Sequence, residues 1–336
     1  MNLAVKYRPK TLEEVVGQNL TVDILRRQIE QKMIKNVYLL AGPSGCGKTT
    51  IARIIANKIN DGCGQPIEID AASNNGVDNI RDIVEHAKER AFDAEYKVYI
   101  IDECHMLTTN SWNALLKLVE EPPKFTIFIF CTTDINKVPM TIINRCQVYK
   151  LTKISAENMV NRLEKICKAE NIEYETSALT CLYHMSKGSL RQAISYLDLC
   201  KDFSKVDLKC VTSVLGDCSY EKFFKITNAI LDGDTGVILD TIEESYQNGD
   251  DLKLFIDQYL EFLLNVLKFI TFKSISKTDF PENYLKDLQS ITNISANAAQ
   301  FYKKLLDKVL NIKVTIANDS SVKETIEIMF INLREN

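Results

Sequence analysis

The stretch GPSGCGKT, residues 42–49, constrains the fold of this 336-residue chain more than any other feature. It fits the pattern G-x-x-x-x-G-K-[ST] at every fixed position. The apolar run NVYLLAG (36–42) leads into it, and the run TTIARIIANKIN (49–60), which has helical spacing, follows. Glycines let backbone N–H groups curl around an anion, and a helix N-terminus favours negative charge. The pattern therefore predicts a phosphate-binding loop between a buried strand and a helix.

The loop pattern predicts different roles for two of its residues. Lys48 would offer a positive charge to the β- and γ-phosphates of a nucleotide, and Thr49 would offer a hydroxyl ligand to Mg²⁺. The candidate nucleotide-binding residues here are Gly42, Pro43, Ser44, Gly45, Cys46, Gly47, Lys48, Thr49 and Thr50. The alternative is a chance match in a glycine-containing loop, and the flanking strand and helix argue against it.

A second apolar run, VYIIDE (98–103), predicts a strand that ends in two acids. At that place Asp102 can hold Mg²⁺ through water, and Glu103 can polarise an attacking water. Acids at strand ends are common, so this interpretation depends on the phosphate loop upstream in the same sheet.

Three further polar residues lie at the ends of predicted elements. In CTTDINK (131–137), Thr132 or Thr133 could orient water near a γ-phosphate, and spacing does not decide between these two or exclude plain strand-end capping. Arg191 falls in the first turn of a helix, where the dipole favours acids rather than a cation. A phosphate partner would explain an arginine at this place, and a solvated surface position is the alternative. Arg145 follows the largely apolar stretch MTIIN (140–144) and needs an anion nearby.

The order of the elements predicts a mixed fold, α/β followed by all-α. Strands rich in Val, Ile, Phe and Tyr alternate with helices over about the first 150 residues, which is typical of a parallel sheet covered on both faces. From about residue 152 onward the apolar residues recur at i, i+3 and i+4, which predicts helices to the end of the chain. A loop with a short helix is expected over 273–296.

Composition excludes several classes of protein. Hydrophobic residues make up 46% and charged residues 26%, and no apolar run approaches the length of a membrane span. The start, MNLAVKYRPKTLEE, lacks a signal-peptide core, so we expect a cytoplasmic protein. The ten cysteines form no CxxC pair, and with three His they do not show zinc-ligand spacing. The net charge of −4 argues against a generally basic nucleic-acid binder.

Together these residues resemble the clamp-loader branch of the AAA+ ATPases, in particular the bacterial DNA polymerase III gamma/tau subunits. The resemblance is dense over residues 1–200 and looser to the segment SSVKETIEIMFINL (320–333). The blocks that carry it, in family order, are KYRPKTLEEVVGQ (6–18), the phosphate loop, EIDAASNNGVDNIRDI (68–83), DECHMLTTNSWNALLKLVEEPP (102–123), TTDINKVPMTIINRC (132–146) and GSLRQAISYLD (188–198).

The resemblance implies three domains and an activity. A RecA-like AAA+ ATPase core would span 1–152, a small three-helix lid 153–206, and a helical collar that oligomerises 207–336. The implied function is that of an ATPase subunit which uses ATP and Mg²⁺ to open a sliding clamp and load it onto primed DNA. The implied partners are the clamp, primed DNA bound without sequence preference, and other loader subunits in a pentameric ring, with no membrane.

The resemblance also implies roles for single residues. The segment that closes over adenine would use Tyr7, Arg8, Pro9, Val16 and Gly17. Thr133 would be the sensor-1 residue and Arg191 the sensor-2 arginine. Arg145 would be an arginine finger that acts on the nucleotide of the adjacent subunit, although Asn144 replaces the usual Ser before it. The alternative for Arg145 is a pairing with an acid of its own chain.

Arg81, at the start of a helix, is the first candidate for a contact to DNA phosphate, and an ordinary exposed helix Arg is an equal alternative. The sequence departs from the family in two places. The segment DGCGQP (61–66) stands where gamma/tau proteins usually carry a four-cysteine zinc module, so we expect no zinc. The chain also stops where the collar should end, so we expect no tau-type tail, which would suit a compact loader protein from a bacteriophage or a divergent bacterium.

Two other functions remain compatible with parts of this pattern. Another AAA+ motor, such as a branch-migration helicase, would share the phosphate loop and the sensors but not the blocks EIDAASNNGVD and LLKLVEEPP. A stator subunit that binds ATP without hydrolysing it would not need Lys48, Thr49, Asp102 and Glu103 all intact.

Overall fold

The structure is a computed structural model that describes residues 2–215, 220–278, 280, 284–292, 297–317, 319 and 321–332. The chain divides into two compact units, Met1–Gly216 and Asp217–Asn336. Each unit is described by itself below.

A five-stranded parallel sheet forms the centre of the first unit, in the order β2-β3-β4-β1-β5. Its strands are β1 (Val37–Ala41), β2 (Ile67–Asp70), β3 (Lys97–Asp102), β4 (Thr126–Thr132) and β5 (Gln147–Lys150). Every residue of β1 and β4 is buried, as expected of central strands that are covered on both faces. The predicted parallel sheet is confirmed.

Ten helices of the first unit accompany this sheet and the lid. They are α1 (Leu3–Lys6), α2 (Asn19–Glu30), α3 (Lys48–Ile59), α4 (Val77–His86), α5 (Thr109–Glu120), α6 (Met140–Ile143), α7 (Ala156–Glu170), α8 (Thr176–Met185), α9 (Leu190–Cys200) and α10 (Leu208–Leu215), as far as the described residues show.

The two faces of the sheet have separate cores. Apolar residues of α2 and α3, such as Leu25 and Ile55, pack on one face, and residues of α4 and α5, such as Ile80 and Trp112, pack on the other. Helix α5 ends just before Pro122–Pro123, as its sequence predicts. These helices therefore cover both faces of the sheet.

A third core joins α7, α8 and α9, the predicted three-helix lid. Leu3 from the N-terminal segment is buried in it. Helix α10, which falls in the predicted collar region 207–336, also contributes Cys210 and Val211 to this core. The compact unit therefore continues past the predicted boundary at residue 206, and the division into three domains remains a prediction.

The second unit is helical throughout the part that the structure describes. Its helices are α11 (Tyr220–Asp232), α12 (Thr235–Gln247), α13 (Leu252–Phe272), α14 (Leu285–Thr292), α15 (Ala298–Ile316) and α16 (Val322–Ile331). Aromatic residues centred on Phe262 of α13 fill its core. The predicted short helix within 273–296 is α14, and residues 279, 281–283 and 293–296 of that segment lie outside the described residues, as do 320 and 333 of the predicted last helix.

No helix among the described residues is long and apolar enough to cross a membrane.

Candidate nucleotide-binding site

The phosphate loop joins the carboxyl end of β1 to the first turn of α3. Gly45 and Gly47 take positive φ angles, 71° and 107°, which only glycine adopts readily. Lys48 is 6% exposed, and its Nζ donates to the carbonyl oxygens of Gly42 at 2.9 Å and Pro43 at 3.1 Å. The loop thus curls around its own lysine, with the positive charge held at its centre.

Two glycines of the loop are needed because other parts of the chain approach them. A Cβ at Gly42 would lie 2.6 Å from the carbonyl oxygen of Leu151, and a Cβ at Gly45 would lie 2.0 Å from Oγ of Ser189. A Cβ at Gly47, in contrast, would meet nothing within 4 Å. Gly42 and Gly45 therefore permit close packing, whereas Gly47 leaves open space above the N-terminus of α3.

The thiol of Cys46 lies inside the loop. Burial raises its pKa, so the thiol stays neutral and adds no negative charge next to a phosphate.

The two acids at the end of β3 differ in their environment. Thr49 Oγ1 donates to Oδ2 of Asp102 at 2.7 Å, and the backbone N–H of Glu103 donates to Oδ1 of the same carboxylate at 2.9 Å. Glu103 takes a left-handed backbone conformation, φ 44°, which is uncommon for a residue with a side chain. Asp102 is thereby tied to the phosphate loop, and Glu103 is turned away from the strand into the site.

The end of β4 contains the two threonines that spacing could not separate. Thr132 is fully buried, and its Oγ1 bonds to the carbonyl oxygen of Asp134 at 3.0 Å and lies 3.2 Å from Nδ1 of His105. Thr133 is exposed, and its Oγ1 donates to Oε2 of Glu103 at 3.0 Å. Of these two threonines, only Thr133 contacts the Glu103 carboxylate.

The oxygen donors here suit Mg²⁺. Thr49 and Asp102 present a hydroxyl and a carboxylate next to each other, and hard oxygen ligands few in number are what Mg²⁺ takes beside a phosphate. These two residues would hold the ion. Among the described residues no group of three or more His, Cys, Asp or Glu side chains is arranged to hold a metal.

The N-terminal segment implied to close over adenine packs on the lid. Tyr7 and Val16 pack against the lid core, and Gly17 lies against Ile154 with φ 75°. Arg8 and Pro9 are half-buried and directly follow Tyr7, which caps α1. The structure thus places Tyr7, Val16 and Gly17 against the lid core, in the same unit as the phosphate loop.

Gln18 was not singled out from the sequence, although it ends the quoted block at 6–18. It is 4% exposed and its Nε2 donates to the carbonyl of Thr152 at 2.8 Å and approaches that of Cys46 at 3.5 Å. Its Oε1 in turn accepts from the backbone N–H of Thr152 at 3.2 Å. Its place in the block at 6–18 was the signal available in the sequence, because the burial of this amide follows only from the fold.

Arg191 lies in the first turn of α9 and is exposed. Ser189, the N-cap of that helix, is the residue that touches Gly45. The start of α9 therefore abuts the phosphate loop, and Arg191 lies within one turn of that contact.

Arg145 lies before β5, which pairs in parallel with β1 so that Gln147 is opposite Tyr38. It is therefore near the amino end of the sheet, away from the phosphate loop at the carboxyl end. Its Nη2 lies 2.6 Å from Oε1 of Glu120, and its Nη1 donates to the carbonyl of Thr141 at 2.6 Å. The alternative drawn from the sequence, pairing with an acid of the same chain, is thus present in the single chain.

Arg81 is exposed on α4 and pairs with Asp78 one turn earlier, at 2.9 Å. Both side chains are mostly in solvent, so the pair is weak and its arginine can exchange partners.

Three family models match successive parts of the chain. The DNA polymerase III delta subunit matches residues 67–155, the ATPase lid domain of the DNA polymerase III clamp-loader subunit matches 158–199, and domain III of DNA polymerase III subunits gamma and tau matches 206–300.

Curated relatives cover most of the chain. The DNA polymerase III subunit gamma of Buchnera aphidicola subsp. Schizaphis graminum is 32% identical over 329 residues, 90% of this chain and 91% of the relative. The gamma/tau subunit of Mycoplasma genitalium is 35% identical over 82% of this chain and 50% of the relative, and the tau subunit of Bacillus subtilis is 37% identical over 79% and 51%. The chain thus spans about half the length of the last two.

Among solved structures, the RuvB Holliday junction branch migration motor of Thermotoga maritima is similar, with a TM-score of 0.53 and 20% identity over 73% of this chain and 86% of that one. Identity at this level supports the fold alone.

The five-stranded parallel sheet, the phosphate loop after β1 and the match to the ATPase lid domain of a clamp-loader subunit define the AAA+ class of proteins. Within that class, the chain belongs to the DNA polymerase III gamma/tau family, because the Buchnera gamma subunit aligns with it over nearly the full length of both. The family resemblance inferred from the sequence is confirmed.

Proposed function

We propose that this chain is an ATPase subunit of a sliding-clamp loader, which uses ATP binding and hydrolysis to open a clamp and close it on primed DNA. The observation that carries the proposal is the contact series Thr49–Asp102 and Glu103–Thr133, which joins the phosphate loop and the ends of β3 and β4 in one site. The names of the gamma and gamma/tau relatives support the assignment to a loader.

The phosphate loop is preorganised for a triphosphate. The ammonium of Lys48 has three N–H donors, two of which are held by the carbonyls of Gly42 and Pro43, so one remains for a phosphate oxygen. The open space at Gly47 and the N-terminus of α3 favour the same anion. Mg²⁺, when held by Thr49 and Asp102, supplies neutralising charge to the β- and γ-phosphate oxygens.

Glu103 is the candidate to orient and activate the attacking water. The carboxylate is one-third exposed, so water reaches it, and the hydrogen bond from Thr133 limits its rotation. A carboxylate fixed in this way can accept a proton from a water aligned with the γ-phosphate. Thr133 would couple the presence of that phosphate to β4, and Arg191 would couple it to the lid.

Arg145 would complete the site of the adjacent subunit. It lies near the amino end of the sheet, so it does not face the phosphate loop of its own chain. A finger supplied in trans is worth about 10³–10⁵ in rate. ATP hydrolysis would then require assembly, for which the helical second unit would provide the collar of a pentameric ring.

The test is ATP hydrolysis by the assembled loader with primed DNA and clamp. We expect Arg145→Ala to leave ATP binding near normal and to abolish the stimulated rate. Arg27→Ala removes an equal charge from the exposed surface of α2 and serves as the matched control, with an unchanged rate.

Three results would contradict the proposal. Full stimulated turnover by Arg145→Ala would exclude a finger role for this residue. Strand displacement without any clamp would favour a motor of the branch-migration type, and ATP binding without hydrolysis by the unaltered assembly would favour a stator subunit.

A further inference from the structure

The C-terminus of α5 carries two adjacent acids, Glu120 and Glu121, where the helix dipole disfavours negative charge. Only Glu120 is neutralised by a cation among the described residues, and that cation is Arg145. Glu120 is thus an acid at an unfavourable position that has a specific arginine partner. Solvation alone does not explain this pairing.

The arginine is held from two sides. Glu120 binds Nη2 and the carbonyl of Thr141 accepts from Nη1, each at 2.6 Å. A guanidinium has five N–H donors, so these two contacts within the described part of the chain leave three for an incoming anion. The Arg145 side chain is 38% exposed, which leaves that remaining edge accessible.

We propose that Glu120 is a positioning residue for Arg145. Its carboxylate and the Thr141 carbonyl fix the long arginine side chain in one conformation, so that the finger enters the site of the neighbouring subunit already ordered. This inference rests on the proposed function, in which Arg145 acts in trans.

A latch that withholds the arginine is the contrary interpretation. Glu120 is 37% exposed, and exposed ion pairs are weak because water and salt screen them. Such a pair cannot compete with the concentrated charge of a bound triphosphate. It can, however, reduce the rotational freedom of a side chain that otherwise samples many rotamers.

The chain offers a matched set of variants. Glu120→Gln keeps the shape and removes the charge, and Glu121→Gln removes the same charge one residue further on, from a side chain without an ion pair among the described residues. Glu120→Lys repels the guanidinium and serves as a stronger second variant. Each is assayed in the assembled loader with primed DNA and clamp, alone and together with Arg145→Ala.

We expect Glu120→Gln to lower the stimulated kcat about two- to fivefold, the range that an exposed ion pair supports, with KM for ATP and the thermal midpoint unchanged. Glu120→Lys should lower kcat further, and Glu121→Gln should match the unaltered chain. In the Arg145→Ala background Glu120→Gln should not lower the residual, unstimulated rate any further, because a positioning residue acts only through its target.

The other outcomes overturn the inference. If Arg145→Ala abolishes stimulated hydrolysis but Glu120→Gln retains the full rate or exceeds it, positioning fails while the finger role stands. If Glu120→Gln lowers the residual, unstimulated rate of Arg145→Ala by the same factor, its effect is structural. If Arg145→Ala itself retains full turnover, the proposed function fails first.

Discussion

Oγ1 of Thr133 donates a 3.0 Å hydrogen bond to Oε2 of Glu103, and the backbone N–H of Thr133 donates to the same oxygen at 3.2 Å. Nδ1 of His105 lies 3.3 Å from that oxygen as well. One carboxylate oxygen thus connects the ends of β3 and β4. The other oxygen, Oε1, makes no hydrogen bond to the described residues, so it can accept a proton from water.

The two threonines at the end of β4 should give opposite results on substitution. Thr133→Val removes the side-chain donor to Glu103, and we expect kcat for ATP hydrolysis to fall about tenfold, the value of one hydrogen bond, with an unchanged thermal midpoint. Thr132→Val leaves buried partners unsatisfied, and we expect a loss of about 1–3 kcal/mol in the free energy of unfolding. Steady-state kinetics and denaturant titration measure the two effects. The opposite assignment of defects to the two variants would show that Thr132 is the residue that serves the reaction.

Glu103→Gln should separate ATP binding from hydrolysis. The amide retains an oxygen that accepts from Thr133, so the geometry is kept, but it cannot take up a proton. We expect single-turnover hydrolysis to fall by about 10²–10⁴ while the affinity for a fluorescent ATP analogue stays the same. Glu89→Gln, an exposed carboxylate between α4 and β3, is the control. A Glu103→Gln variant that hydrolyses ATP normally would remove this residue from the chemistry.

Arg81→Ala should weaken DNA binding through electrostatics alone. If Arg81 contacts a phosphate, its loss reduces the slope of log affinity against log salt concentration by about one, equally for two unrelated primed sequences. Asp78→Asn removes the acid that pairs with Arg81, so it should raise the affinity. Fluorescence anisotropy over a range of KCl concentrations measures both. An unaltered salt slope in Arg81→Ala would leave Arg81 as an ordinary surface residue.

The N-terminal segment should be joined to the lid in a pH-dependent way. Hydrogen bonds from Lys6 and Tyr7 lower the pKa of Glu170 on α7, so the folded state holds the charged form more strongly than the unfolded chain does. This stabilisation is present above the ordinary Glu pKa of about 4.3 and is lost as the pH falls through that value to the lowered one. Glu170→Gln should therefore lower the thermal midpoint slightly at pH 7 and by less at pH 3.

Glu173→Gln is the control for that experiment, because Glu173 is exposed and makes no ion pair within the described ranges. Its midpoint should follow that of the unaltered chain at both pH values. A Glu170→Gln defect that persists unchanged at pH 3 would mean that packing, rather than the charge, connects the segment to the lid.

Much of the core was predictable because its signals are local. The glycines of the phosphate loop, the apolar strands and Pro122–Pro123 each act on their own neighbourhood, and the parallel sheet follows from them. Helix α2 was not predicted, although Val22, Leu25 and Ile29 recur at helical spacing, because Gln18 makes no capping hydrogen bond and no acid stands in the first turn to mark the start of the helix.

Contacts between residues that are far apart in the sequence could not be predicted from it. Thr132 and Thr133 have the same chemistry, and only the burial of one at the end of β4 distinguishes them. Glu120 and Arg145 meet because α5 and the segment before β5 pack together, which no spacing rule encodes. The extent of the lid could not be predicted either, because α10 has the pattern of an ordinary amphipathic helix. That pattern does not show which core the helix joins.

The approach of Ser189 to Gly45 has a consequence for the descent of this protein. A Cβ at position 45 would lie 2.0 Å from Oγ and 3.0 Å from Cβ of Ser189, so a side chain there requires Ser189 to shift. In a chimaera whose lid comes from a distant family member, another residue could stand at position 189, opposite Gly45. Only lids with a small residue at 189 would fit against this loop. Across diverging lineages the two positions should therefore change together or remain as they are.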